Sequence, residues 1–66
     1  MVNERWNIIL DLLDRNGSSN IRELMEHCGV SEATIRRDLT NLEEQNLLYR
    51  THGGAMKRSA ARGSEE

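Results

Sequence analysis

The chain has 66 residues, 36% of them hydrophobic, and a formal net charge of −2. This length permits one small domain, which hides only about 60% of the surface that its unfolded chain would expose. A ligand cavity of about 300–1,000 Å³ would consume most of such a core, so size argues against an enzyme with a self-contained active site. No apolar run is long enough to cross a bilayer. The single cysteine, Cys28, cannot form an internal disulfide, and we therefore expect a cytoplasmic protein.

Apolar residues at helical spacing predict two helices in the first half of the chain, over residues 4–16 and 21–28. Asn20 and Glu23 have the spacing of a capping box at the start of the second helix. A glycine follows each helix and favours its termination. The intervening Ser18-Ser19 is expected to be a short connection with at most one extended residue.

The second half predicts a longer helix followed by a β-hairpin. Ser31 is a good N-cap for a helix over 32–45, whose residues Ile35, Leu39 and Leu42 form one apolar face. Strands are expected over 47–51 and 55–58, joined by His52-Gly53-Gly54, with the paired glycines supplying the positive φ of the turn.

These elements predict a mainly α fold with a small hairpin, a three-helix winged helix-turn-helix. A short helix, a turn that contains glycine and a longer helix define the helix-turn-helix, and the hairpin is its wing. The domain is expected to occupy residues 1–58, with 59–66 as a flexible tail or the start of an interdomain linker.

The outward face of the third helix carries the candidate binding residues. In a helix-turn-helix the second helix enters the DNA major groove and its N-terminal residues reach base edges. Short polar groups and guanidinium groups suit guanine edges, thymine methyl groups and phosphates. The candidates on or next to this helix are Ser31, Thr34, Arg36, Arg37, Thr40 and Asn41. Asp38 lies at the edge of the apolar face, so we expect a structural ion pair with an arginine of another element, such as Arg22 or Arg50.

Positive charge is concentrated late in the chain, although the total is negative. Residues 45–63 contain four basic residues and no acidic ones. Attraction to a polyanion depends on the local field, so this distribution outweighs the total. The wing candidates for DNA contact are Arg50, His52, Gly53, Lys57 and Arg58. Glycine at the turn would let backbone N–H groups approach a phosphate.

Three segments together resemble a known family. They are Val30–Leu39 (VSEATIRRDL), Leu42-Glu43 and Arg50–Ala55 (RTHGGA), and they resemble the DNA-binding domain of DeoR-family bacterial transcription repressors. The resemblance covers residues 4–58. It implies operator recognition, with Ser31, Thr34, Arg36 and Arg37 in the recognition segment and Arg50, His52 and Gly53 in the wing.

The resemblance also carries expectations about a longer protein. It implies a separate C-terminal domain that binds a sugar phosphate and mediates oligomerisation, while the isolated DNA-binding domain is expected to be monomeric. Ser19 departs from the aliphatic residue usual in the family, which leaves a third strand of the small sheet an open question.

Other functions have weaker support in the sequence. His27, Cys28 and His52 do not form a spaced set of metal ligands, no catalytic constellation is visible, and no cofactor is expected. RNA binding lacks an exposed aromatic platform. The main alternative is a winged-helix module for protein–protein interaction without DNA binding.

Overall fold

A computed structural model describes residues 4–58, in which the predicted helices and hairpin occur in the predicted order and one further strand lies between the first two helices. The helices are α1 (Glu4–Asn16), α2 (Ile21–Cys28) and α3 (Glu32–Glu44), and the strands are β1 (Ser18–Asn20), β2 (Leu48–Thr51) and β3 (Gly54–Lys57). The winged helix-turn-helix is confirmed. The expected tail, 59–66, lies outside the described residues.

Local capping explains why the helices begin and end where predicted. The Asn20 side chain accepts from the Glu23 N–H at 2.8 Å, and the Glu23 carboxylate accepts from the Asn20 N–H, which completes the capping box. Gly29 ends α2 with φ 70°, and its N–H donates to the Met25 carbonyl. The Ser31 hydroxyl accepts from the Thr34 N–H and caps α3.

Asn46 turns the chain from α3 into the wing. Its φ is 64°, the one positive value at a non-glycine residue between residues 4 and 58. The Asn46 N–H donates to the Glu43 carbonyl at 2.9 Å, and the Leu47 N–H donates to the Leu42 carbonyl at 3.0 Å. These two bonds form a Schellman motif, in which asparagine replaces the more usual glycine. The helix therefore ends with its last carbonyls satisfied, and β2 begins in a fixed direction.

The sheet has three antiparallel strands in the order β1-β3-β2, so Ser18-Ser19 is more than a connection. Ser19 pairs with Ala55, and the residue is 7% exposed. Its hydroxyl donates to the Glu23 carboxylate at 2.8 Å, so the serine is satisfied although it is buried. The expectation of at most one extended residue was wrong, because backbone pairing with β3 and this hydrogen bond replace an aliphatic contact.

The paired glycines act differently from the prediction. Neither Gly53 nor Gly54 has a positive φ, and the hairpin turn does not require one. Gly54 lies in β3 and pairs with Asn20 of the neighbouring strand β1, where an added Cβ would sit 2.0 Å from the Ser19 carbonyl oxygen and 2.6 Å from the Asn20 Cα. Gly54 is thus required by close approach of two backbones. Gly53 has open space around it.

Gly54→Ala is expected to destabilise the domain strongly. The new methyl group meets backbone atoms, which cannot rotate away, so the cost lies at or above the usual ~1–3 kcal/mol of overpacking. Gly53→Ala is the matched control, since nothing lies within 4 Å of its added Cβ. Thermal unfolding followed by circular dichroism measures both. Equal melting temperatures for the two variants would contradict the close pairing of β1 with β3 at Gly54.

One small core joins the helices to the sheet. It is composed mainly of leucine and isoleucine side chains from every helix and from β2, and the fully buried ones are Ile9, Leu13, Leu24, Ile35, Leu39, Leu42 and Leu48. Trp6 and Cys28 are among the partly buried residues that pack against it. Residues 4–58 include no helix that is long and apolar enough to cross a membrane. The predicted apolar face of α3 is confirmed as the inward face, because its residues Ile35, Leu39 and Leu42 are all buried.

Candidate nucleic-acid interface

The start of α2, the first turns of α3 and the turn of the wing meet at one shallow groove. Ile21, Arg22 and Met25 of α2 line it together with Glu32 and Arg36 of α3 and Gly53 of the wing. The Ile21 N–H donates to the Gly53 carbonyl at 2.8 Å, which ties the turn of the wing to α2. The two surfaces selected from the sequence thus lie on the same side of the molecule.

The adjacent arginines of α3 have different surroundings. Both are exposed, as predicted. Arg36 forms an ion pair with Glu32 one turn earlier, with Nη2 at 2.6 Å from the carboxylate. Arg37 has no hydrogen bond or ion pair to residues 4–58, and its charge acts only at longer range on Asp38. Arg37 therefore presents a free guanidinium to solvent.

The other α3 candidates are smaller and partly engaged. Ser31 is exposed, and its hydroxyl serves the helix cap and lies 3.2 Å from the Thr34 hydroxyl. Thr34, Thr40 and Asn41 are half-buried along the same face. The Thr40 hydroxyl donates to the Arg36 carbonyl at 3.0 Å. It also accepts from the Arg50 Nη1 at 3.0 Å.

The wing candidates divide into two groups. Arg50, His52 and Gly53 are exposed near the hairpin turn. Lys57 instead reaches α1, where its Nζ lies 3.5 Å from the Asp14 carboxylate and donates to the Asp14 carbonyl at 3.2 Å. The Arg58 guanidinium lies over the Tyr49 ring, 4.9 Å from its centroid. Lys57 and Arg58 also line a separate groove together with α1, apart from the one beside Gly53.

Asp38 forms an ion pair with an arginine of another element, but that arginine is Arg5 of α1. Arg22 and Arg50 were the wrong candidates, because Arg22 faces the groove and Arg50 contacts Thr40. Arg5 donates to both carboxylate oxygens, through Nε to one and through Nη2 to the other at 3.1 Å. Burial by itself would raise the pKa of Asp38. Hydrogen bonds from Arg5 and Trp6 and the nearby positive charges outweigh it and hold the pKa below its usual range.

The remaining chemistry-bearing residues form no second site in the described part of the chain. No group of three or more His, Cys, Asp or Glu residues between positions 4 and 58 could hold a metal ion. Cys28 is half-buried against the core, and burial raises the pKa of its thiol. A protonated thiol in this position acts as a small apolar residue.

Comparison with models of protein families agrees with the helix-turn-helix fold described above. Residues 5–60 match the model of the DeoR-like helix-turn-helix domain. The chain belongs to the DeoR-like helix-turn-helix family. It is a DNA-binding domain of the kind that recognises operators in transcription regulators, which confirms the resemblance noted in the sequence.

Curated relatives of the DeoR-like domain are transcription regulators. The glycerol-3-phosphate regulon repressor of Escherichia coli is 52% identical over 52 residues, which cover 79% of this chain and 21% of that protein. The L-fucose operon activator of Haemophilus influenzae is 46% identical over 55 residues, 83% of this chain and 22% of that protein. The lactose phosphotransferase system repressor of Staphylococcus epidermidis is 42% identical over 57 residues, 86% of this chain and 23% of that protein. The chain thus spans about a fifth of the length of these relatives, and no solved structure matches it.

One exposed residue of this domain, Arg22, was missed as a candidate for DNA contact. Arg22 had been considered only as a partner for Asp38, yet it is exposed in the first turn of α2 and lines the groove beside Arg36 and Gly53. In a helix-turn-helix the first helix of the motif crosses the DNA backbone. The position of Arg22 at the start of this first helix was the sequence signal that favoured a contact with the DNA backbone.

Proposed function

We propose that α3 of this DeoR-like domain enters the major groove of operator DNA while the wing turn and the start of α2 contact the flanking phosphates. The free guanidinium of Arg37 on the outward face of α3 carries this proposal, because an uncommitted, exposed arginine at this position suits bidentate reading of guanine. The groove that joins Arg22, Arg36 and Gly53 supports the same orientation.

Individual residues then have separate roles. Arg37 and Arg36 are proposed to reach bases or phosphates, with Arg36 exchanging its Glu32 partner for DNA. Thr34, Thr40 and Asn41 border the bases. Positioning contacts to phosphates are assigned to a peripheral group that comprises Arg22, Ser31, Arg50, His52 and the Gly53 N–H. Lys57 and Arg58 line the separate groove with α1 and are assigned only longer-range attraction.

The regulatory output belongs to a longer protein. We propose a transcription repressor acting in the bacterial cytoplasm, since two of the relatives named above are repressors. A sugar phosphate or a related metabolite would bind a further domain, which would also bring two DNA-binding domains together. Support comes from the relatives' lengths and from their association with glycerol 3-phosphate, fucose and lactose systems. A single DNA-binding domain is proposed to be monomeric and to bind weakly.

Nuclear magnetic resonance tests the interface directly. The 66-residue chain, labelled with ¹⁵N, is titrated with a duplex enriched from a random-sequence pool at several salt concentrations. Contact with three to five phosphates predicts a log–log salt slope of about −3 to −4.5. Chemical-shift changes are expected at the start of α3, at Arg22 and in the wing turn. A flat salt dependence, or shifts confined to the exposed face of α1, would overturn the proposal and favour a protein-interaction module.

A further inference from the structure

We propose that Glu43 is a positioning residue for DNA binding, which fixes the wing against the recognition helix by holding β2 through Arg50. The inference rests on the proposed function, because it concerns how the two DNA-contacting parts keep their relative orientation. Glu43 was not a candidate in the sequence, and a carboxylate facing a polyanion would ordinarily oppose binding.

The first observation concerns the open edge of the sheet. In the order β1-β3-β2, strand β2 lies at the edge, so some of its backbone N–H groups have no strand partner. The Arg50 N–H donates to the Glu43 Oε2 at 3.2 Å. Glu43 is half-buried on α3, and the hydrogen bond to β2 lies at the surface. One carboxylate thus satisfies the edge and links the last turn of α3 to the strand that leads into the wing turn.

A second contact joins the same two elements. The Arg50 Nη1 donates to the Thr40 hydroxyl at 3.0 Å, and that hydroxyl donates to the Arg36 carbonyl. Arg50 is therefore held to α3 twice, by its backbone at Glu43 and by its side chain at Thr40. Residues 40 and 43 lie one turn apart, so the two contacts fix both the position and the direction of β2 at Arg50.

The placement of these contacts makes them relevant to DNA. Beyond Arg50 the chain continues into Thr51, His52 and Gly53, all exposed. On the other side the turn is held by the Ile21–Gly53 hydrogen bond. Glu43 therefore provides one of the two hydrogen-bonded ties between β2 and the helix proposed to lie in the major groove, and it is the one that holds the backbone. Loosening it would let phosphate and base contacts fall out of register.

Removing Glu43 distinguishes a positioning role from a purely electrostatic one by whether the affinity for DNA falls or rises. Removing an acidic side chain near DNA strengthens binding through electrostatics alone. If Glu43 positions the wing, its removal weakens binding instead. Glu44 is the matched control, since it is exposed on the adjacent position of α3 and makes no hydrogen bond or ion pair with residues 4–58.

The experiment measures duplex affinity, salt slope and Arg50 amide exchange for four variants, using the enriched duplex described above. Glu43→Met is expected to lower affinity about tenfold, the equivalent of one charge-assisted hydrogen bond, and to speed exchange of the Arg50 amide. Glu43→Asp keeps the charge but shortens the reach and should also weaken binding. Glu43→Gln retains an acceptor oxygen and should keep most of the affinity of the unmodified chain. Glu44→Met should bind as tightly as the unmodified chain or more tightly.

Each outcome bears on the inference. Binding by Glu43→Met that matches Glu44→Met would overturn it, as would a failure of Glu43→Gln to exceed Glu43→Met. If Glu43→Met does not fold, Glu43→Asp decides, because it has the same charge as the unmodified chain and differs from it only in the reach of the carboxylate. Equal affinity and equal Arg50 amide exchange for Glu43→Asp and the unmodified chain would overturn the inference. Failure of the unmodified chain to bind any duplex would instead contradict the proposed function, so the two failures are distinguishable.

Discussion

Arg37→Ala should weaken DNA binding by about 1–3 kcal/mol, or roughly fivefold to 150-fold, without loss of folding. Arg37 is exposed and uncommitted on α3, so its removal leaves no unsatisfied partner in the free domain. The whole effect should therefore appear in the complex. Fluorescence anisotropy with the enriched duplex measures the affinity, and circular dichroism verifies the fold.

The matched control for this prediction is Arg15→Ala. Arg15 is an exposed arginine on α1, paired with Asp11, and its loss makes the same change in net charge away from the proposed interface. Only a small effect on binding is expected from it. If both variants lost equal affinity, Arg37 would contribute only to the general field, and if neither lost affinity, Arg37 would lie outside the site.

Ile35→Asp should unfold the domain. Ile35 is fully buried at the centre of the inward face of α3. The substitution removes a large apolar side chain and places a carboxylate where burial costs several kcal/mol. A 66-residue domain has a net stability of only about 3–10 kcal/mol, so little or no folded population should remain. Circular dichroism and the dispersion of amide resonances measure the outcome.

Ile8→Asp makes the same chemical change at a surface position. Ile8 is 40% exposed on α1, so the carboxylate stays hydrated and the fold should persist. A cooperative melt of Ile35→Asp near that of the unmodified chain would mean that the inward and outward faces of α3 have been interchanged. The proposed DNA surface would then be misplaced as well.

Features governed by neighbouring residues were predictable from the sequence. The capping box at Asn20, the N-cap at Ser31 and the stops at Gly29 and Asn46 depend on hydrogen bonds within a few positions, and all four occur. The faces of α3 follow from helical periodicity. These local signals were sufficient to identify the helix-turn-helix and to orient its second helix.

Features that depend on distant contacts were harder to predict. The partner of Asp38 is 33 positions away in the chain, and several exposed arginines were equally plausible. The role of Gly54 depends on its pairing with β1, and the third strand was left open because Ser19 stands where the family usually has an aliphatic residue. The Glu43 contact was missed because it bonds to a backbone N–H, which no side-chain pattern reveals.

The Arg5–Asp38 contact separates anchoring from recognition within α3. It attaches the middle of the helix to α1 by an ionic bond on the inward side, next to the aliphatic core. Outward positions can consequently be exchanged without disturbing what secures the helix. A scaffold of this design can be adapted to new operators by changing a few surface side chains, whereas Arg5 and Asp38 must be altered together or retained.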